Sequence, residues 1–336
     1  MTEQTTQKIA VIGAGSWGTA LALYLARKNI SISLWSNERD HILAMQSERV
    51  NQRYMPEHLF PETLNLETEL AQAIQDVDII LIVVPSNGFR SVISQLKPLL
   101  TKQQNIVWAT KGLDPESNKL LHEVAIDLLG PERQLAALSG PSFAREVAAG
   151  LPTAVVIAST QIAFAKKVAA IFNSSIFRAY VTTDIIGVEI GGIVKNVLAI
   201  ATGISDGMSL GANSRSALIT RGLAEMIRLG IALGGQLDTF TGLAGVGDLV
   251  LTATDDQSRN RRFGLAIGKG IAPEDAEKQI NQVIEGKHNA AQLVKLANKY
   301  QVEMPITEMV WSIIENHISL NDALQKLLSR EPKEEM

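Results

Sequence analysis

The sequence predicts an α/β protein in which an N-terminal, doubly wound and mostly parallel sheet is followed by an all-α C-terminal domain. Three observations predict it. The apolar run Ile9-Ala10-Val11-Ile12 enters a glycine-rich turn, Gly13-Ala14-Gly15-Ser16-Trp17-Gly18, which leads straight into a helical run, Thr19-Ala20-Leu21-Ala22-Leu23-Tyr24-Leu25. Short β-rich segments then alternate with longer helical patterns, the rhythm of a parallel sheet. After residues 177–182 that rhythm stops, and no clear strand remains from about Asp184 onward.

In chain order, the strand-like segments cover 8–13, 31–36, 78–85, 105–110, 134–139, 152–158 and 177–182. In the opening turn Gly13 permits the tight bend, Gly15 lets a phosphate approach bare backbone, and Gly18 lets helix and strand pack closely. The N–H groups that open the helix then face an anion. An isolated Gly-x-Gly-x-x-Gly describes many flexible loops. Set between a first strand and a helix, it indicates dinucleotide binding and a Rossmann-type domain over residues 1–185. Ligands of such sheets lie beyond the carboxyl ends of the strands, so the loops at 13–18, 85–90, 111–113 and 140–144 are expected to converge.

A helix is expected to start near Thr183-Asp184, whose short polar side chains can cap it, and to carry a core stripe of Ile186, Ile190, Val194, Val197 and Ile204. Further helical patterns cover 214–233, 255–269, 273–281, 289–299 and 307–317, which makes 186–336 a helical domain for substrate and catalysis.

Composition limits the functions open to this chain. Its 336 residues are enough for two cores, and 46% hydrophobic with 20% charged residues is ordinary for a globular protein. A net charge of −4 gives no overall field to gather nucleic acid. There is no cysteine, which excludes disulfides and thiolate metal sites and suits a reducing cytoplasm. The histidines at 41, 58, 122, 288 and 317 have no paired ligand spacing, so no metal site is expected. The longest purely apolar stretch, 79–84, is too short to insert into a membrane. Residues 1–7 are polar and lack the apolar core of a secretory signal, and 329–336 read as a solvated tail.

The residues able to carry chemistry lie in both halves. Lys195 falls off the apolar stripe of its helix, with Gly191 and Ala199 four residues to either side and Gly192 three before. Two readings fit that spacing: a ligand occupies the empty space, with the ammonium as general acid or base, or the glycines permit close helix packing while Lys195 reaches solvent. Asn196 adds a polar group beside it. In Gly242-Leu243-Ala244-Gly245-Val246-Gly247-Asp248, a glycine-rich turn brings a carboxylate forward that either pairs with Lys195 or caps a helix. Ser258-Arg259-Asn260-Arg261-Arg262 groups a hydroxyl, an amide and three guanidinium forks, a donor set matched to phosphate or else a solvated basic face. Lys111 stands just beyond a strand end, and Ser139-Gly140-Pro141-Ser142-Phe143-Ala144 places two hydroxyls and bare backbone beyond the next. Both segments would also suit plain turns.

Together these segments resemble the soluble NAD(P)-dependent glycerol-3-phosphate dehydrogenases of bacterial type, from Lys8 to about Leu328. The similar stretches are 13–20, 110–112, 139–144, 195–197, 242–251 and 258–260. The resemblance implies a helical domain like the C-terminal one of 6-phosphogluconate dehydrogenase, and reduction of dihydroxyacetone phosphate to sn-glycerol 3-phosphate, a phospholipid precursor. It makes Lys195 the proton donor and acceptor, with Asp248 beside it. Lys111, Gly140, Ser142, Ser258, Arg259 and Asn260 are implied to bind substrate. Ser16, Trp17, Asn37, Lys111, Ala144, Arg259, Val283 and Glu285 are implied to contact NADPH or NADH, and Phe89 is a further candidate.

Cofactor choice turns on Ser36-Asn37-Glu38-Arg39 at the tip of the second strand. No acid stands at the tip itself, and Arg39 could neutralise a 2′-phosphate, so NADPH is expected to be accepted unless Glu38 turns inward. A hydroxyacid dehydrogenase related to 6-phosphogluconate dehydrogenase and a non-catalytic dinucleotide sensor are the alternatives. The 258–260 cluster and Asp248 argue against the first, and the second leaves Lys195 without a purpose. The partners expected are a small phosphorylated substrate and, through the helical half, a second copy of the chain as a homodimer.

Overall fold

The computed structural model describes residues 8–329; of the polar termini expected at 1–7 and 329–336, all but Ser329 lie outside the described residues. Two compact units divide the chain after Glu189.

The first unit contains β1 (Lys8–Ile12), β2 (Ser31–Trp35), β3 (Val50–Asn51), β4 (Met55–Leu59), β5 (Leu64–Glu67), β6 (Ile79–Ile82), β7 (Asn105–Trp108), β8 (Leu135–Ser139), β9 (Thr153–Ala158) and β10 (Phe177–Thr182). Eight of them form one sheet in the order β10-β9-β8-β7-β6-β1-β2-β5. β6 and β8 are buried along their whole length, which is why they read as unbroken apolar runs rather than alternating ones. From β8 to β5 every neighbouring pair is parallel. The β8–β9 pair is antiparallel, so β9 and β10 run against the rest. The four loops expected at the ligand edge follow β1, β6, β7 and β8, which all point the same way. The strand order reverses between β1 and β6, where such sheets open a crevice.

Three strands escaped the sequence reading. β3 is two residues long, β4 carries Pro56 and is largely exposed, and β5 is a four-residue edge strand. None is long enough to show a period of two above its surroundings.

Apart from the first turn of its leading helix, Ile185–Gly207, the second unit comprises Gly211–Ala232, Leu237–Thr241, Asp248–Thr254, Arg259–Gly268, Pro273–Ile280, Glu285–Lys299, Pro305–Ile314 and Leu320–Leu328. Asp184 Oδ1 accepts from the Gly187 N–H at 2.8 Å, the cap expected from sequence. This leading helix is long and apolar enough to cross a membrane by length and composition, but 94% of its most apolar window is buried inside the protein. It is a core helix.

It packs on Arg259–Gly268 through glycines from both sides. A Cβ on Gly203 would lie 2.2 Å from Arg261 O, and one on Gly207 2.5 Å from Leu265 O. A Cβ on Gly264 would lie 2.1 Å from Ile200 O, and one on Gly268 2.3 Å from Ile204 O. Glycines four residues apart on each helix therefore let the two backbones touch.

Candidate active site

In the first unit, the turn after β1 has the form a pyrophosphate requires. Gly13 has a φ of +120°, and a side chain there would strike the Val83 carbonyl at 2.5 Å. A Cβ on Gly18 would lie 1.8 Å from Gly13 O, so only glycine closes the turn onto the helix Ser16–Ala26. Around Gly15 there is open space where a Cβ would stand, and no side chain caps the helix or places an acid in its first turn. The helix N-terminus is left to an anion. Trp17 Nε1 and Ser139 Oγ are buried polar atoms without a hydrogen-bond partner. The residues present therefore fit a dinucleotide.

The other loops stand at the same edge of this unit. Lys111 is half-buried after β7. Its loop is held from behind by Arg90, whose Nε and Nη2 donate to both oxygens of Asp114 at 3.0 and 2.7 Å. Burial would raise the Asp114 carboxyl, but hydrogen bonds from Arg90 and Ser117 prevail and hold it below the ordinary value. The sequence reading missed this clamp, because residues 24 positions apart share no local pattern. After β8, Gly140 has a φ of +138° and its carbonyl accepts from Ser142 Oγ at 2.9 Å, while Ala144 opens the helix Ala144–Ala148. Asn37 is exposed at the tip of β2, where Glu38 pairs with Arg53 at 2.8 Å and Arg39 with Glu69 at 2.6 Å. Phe89 lies in the first turn of the helix Ser86–Leu96, which follows β6, and is fully buried with its ring edge-on to Trp108 at 5.8 Å.

In the second unit Lys195 Nζ lies 2.5 Å from Asp248 Oδ1 and 2.9 Å from Thr252 Oγ1. The lysine is 6% exposed and the aspartate 0%. A buried ammonium requires such a partner, since an isolated charge would not stay ionised there. The space expected beside the lysine is filled. A Cβ on Gly191 would lie 2.2 Å from Ala244 O, so the backbone of the 242–248 segment occupies it. That segment is a π-helical turn, Leu243–Gly247, running into Asp248–Thr254, rather than an open loop. Gly191 meets Ala244 and Lys195 meets Asp248, one helical turn further along both segments. The close packing permitted by Gly191 is what brings the carboxylate to the ammonium, so Lys195 is held inward rather than reaching out to solvent. Thr252 was not identified from sequence, although it stands four residues after Asp248 on the same helix face.

The anion cluster is more divided than its sequence suggests. Ser258 caps Arg259–Gly268, its Oγ accepting from the Arg261 N–H at 3.2 Å. Arg261 turns inward to Asp206 at 2.6 Å and Asp256 at 2.9 Å, and Arg262 is exposed. Arg259 is half-buried beside Gln282. Asn260 donates to Asn196 Oδ1 at 3.0 Å and accepts from the Gly286 N–H at 2.9 Å, and Asn196 reaches Glu285 at 3.4 Å. Asn196, Asn260 and Glu285 thus form one group adjoining Lys195, with Val283 exposed just before the helix Glu285–Lys299.

A dinucleotide turn at the switch point of a parallel sheet, followed by a helical unit with a buried lysine–carboxylate pair, defines an NAD(P)-dependent dehydrogenase. Comparison with known proteins narrows the class. The family model for the N-terminus of NAD-dependent glycerol-3-phosphate dehydrogenase matches residues 8–165, and the model for its C-terminus matches 184–325. The chain belongs to the NAD-dependent glycerol-3-phosphate dehydrogenase family. It is 49% identical to the NAD(P)+ glycerol-3-phosphate dehydrogenase of Idiomarina loihiensis, over 98% of this chain and 99% of that one. It is 51% identical to the Photorhabdus laumondii enzyme of the same name, over 98% of each. The crystal structure of glycerol-3-phosphate dehydrogenase from Coxiella burnetii superposes with a TM-score of 0.94 at 52% identity, covering 97% of this chain and 99% of that one.

Proposed function

We propose that the chain catalyses the reversible reduction of dihydroxyacetone phosphate to sn-glycerol 3-phosphate with NADPH or NADH, and that Lys195 moves the proton. The observation that carries this assignment is the Lys195–Asp248 contact of 2.5 Å in a site nearly closed to solvent. The bound nicotinamide supplies the hydride. Lys195 Nζ gives its proton to the carbonyl oxygen as that oxygen gains charge, and takes it back from the hydroxyl in the reverse direction. An ammonium held there stabilises the developing alkoxide more than the neutral ketone, which is a catalytic preference. Asp248 supplies the counter-charge and fixes the direction of Nζ, and the Thr252 hydroxyl limits where Nζ can point.

Lys111, Gly140, Ser142, Ser258, Arg259 and Asn260 are the proposed substrate contacts. Ser16, Trp17, Asn37, Lys111, Ala144, Arg259, Val283 and Glu285 are the proposed cofactor contacts beside Gly13, Gly15 and Gly18. With Glu38 engaged by Arg53, the tip of β2 presents no unpaired acid toward a 2′-phosphate, which supports acceptance of NADPH. The product is a glycerophospholipid backbone, and a cysteine-free chain suits the cytoplasm. A homodimer through the helical half would cover exposed apolar side chains such as Ile231, Leu237 and Val250.

The test is oxidation of NADPH or NADH on addition of dihydroxyacetone phosphate, by the unmodified chain and by Lys195→Ala. Substrate-dependent turnover lost in the variant is expected. Absence of turnover by the unmodified chain refutes the activity, and full turnover by the variant refutes the role of Lys195.

A further inference from the structure

Asn51 is fully buried on β3, in the small hairpin that the sequence pattern did not reveal. Its Nδ2 donates to Ala14 O at 3.0 Å and to Thr19 Oγ1 at 2.8 Å. Ala14 sits inside the glycine turn and Thr19 in the first turn of the helix that follows. Because Ala14 O can only accept, the amide orientation of Asn51 is determined, and its Oδ1 faces His41 Nε2 at 3.1 Å as the acceptor. Both amide hydrogens and the amide oxygen are therefore in use. His41 in turn packs edge-on to Tyr54, at 5.9 Å between ring centres, on the same hairpin.

The consequence follows from the planarity of the peptide group. In a trans peptide the carbonyl of Ala14 and the N–H of Gly15 point in opposite directions, so a group that holds one aims the other. The Thr19 hydroxyl also donates to Ala14 O, at a longer 3.4 Å, so the Asn51 bond is the shorter of the two side-chain restraints on this carbonyl. The peptide lies between Ala14 and Gly15, and open space surrounds the missing side chain of Gly15. Rotation of such a peptide would turn a carbonyl oxygen toward an incoming anion. We propose that Asn51 is a positioning residue for the dinucleotide: by holding Ala14 O inward and tying it to Thr19, it keeps the Gly15 N–H and the helix N-terminus directed at the pyrophosphate. The proposal rests on the pyrophosphate lying at the 13–18 turn.

Asn51→Asp tests it, because aspartate keeps the size and the acceptor facing His41 but offers no donor to Ala14 O. Losing a buried hydrogen bond and opposing two acceptors should raise the KM for NADPH and the inhibition constant of ADP-ribose by about tenfold or more. kcat, the KM for dihydroxyacetone phosphate and inhibition by adenosine, which lacks the pyrophosphate, should stay within about twofold, a margin smaller than one neutral hydrogen bond. Asn51→Ser, which retains one donor, should fall between the two, and it serves as the test if the aspartate variant does not fold by circular dichroism. A folded variant with unchanged ADP-ribose inhibition overturns the proposal. So does one in which kcat and adenosine inhibition worsen in step with the KM for NADPH, since that is general loosening. If ADP-ribose fails to compete with NADPH in the unmodified protein, the placement of the pyrophosphate fails instead.

Discussion

Lys195 and Asp248 face each other at 2.5 Å from two helical segments that sequence separates by 53 residues, and both side chains are shut away from solvent. The aspartate is thus the counter-charge of the proposed proton donor. Asp248→Asn should lower kcat on the order of a hundredfold while leaving the affinity for NADPH unchanged, because it alters the charge beside the proton and no cofactor contact. Steady-state kinetics with a parallel fluorescence titration of NADPH distinguish the two effects. A kcat near that of the unmodified chain would remove Asp248 from the mechanism.

Thr252 accepts from Lys195 at 2.9 Å and donates to the Asp248 carbonyl at 2.6 Å. Thr252→Val keeps the shape and loses both bonds, of which the one to Lys195 bears on the proton, so kcat should fall by roughly tenfold. Thr252→Ser should recover most of it. Equal activity in the two variants would assign the residue to packing alone.

The glycine seam holds the helix Arg259–Gly268, which carries the proposed substrate contacts Arg259 and Asn260. A methyl group on Gly264 would meet Ile200 O at 2.1 Å, a backbone atom that cannot step aside. Gly264→Ala should therefore cost about 1–3 kcal/mol in urea unfolding, as overpacking does. Asn260 lies one turn earlier on the same helix face, so the KM for dihydroxyacetone phosphate should rise as well. Unchanged stability would show that the helices separate freely.

Glu225 is 1% exposed and accepts from the Ile306 and Thr307 N–H groups and the Thr307 hydroxyl, capping the helix Pro305–Ile314 from Gly211–Ala232. Burial outweighs these bonds and raises its carboxyl from 4.5 to about 7. The folded protein therefore holds a proton that the unfolded chain releases between those values. The contribution is fully present below pH 4.5 and is lost as pH rises through about 7, a change on the order of 3 kcal/mol. Glu225→Gln should flatten that slope in pH-resolved melts, and an unaltered slope would assign it to other groups.

Arg53 holds Glu38 at 2.8 Å, although both side chains are more than half exposed. Arg53→Ala should free the acid and lower the ratio of kcat/KM for NADPH over NADH, and Glu38→Gln should raise it. Because exposed pairs are weak, severalfold changes are expected rather than a reversal. Ratios that do not move would place cofactor choice elsewhere.

The parts legible in the amino-acid order are those whose physics is local. Strand, turn and helix at 8–26 are specified by residues in direct succession, as are the apolar cores of β6 and β8, the Asp184 cap and the change to helices after β10. Residue types made Lys195, Asp248 and the 258–260 segment candidates beside plainer readings of each, and the family resemblance chose among those readings. The partner of each side chain emerged in the fold. It filled the gap beside Lys195 with the backbone at Ala244, turned Arg261 inward to Asp206, buried Phe89, reversed β9 and β10, and brought Asn51 from an unrecognised hairpin to the glycine turn. Each of these depends on partners far apart in the chain, chosen by close packing and by the need to pair buried polar groups, and neither leaves a period in the sequence.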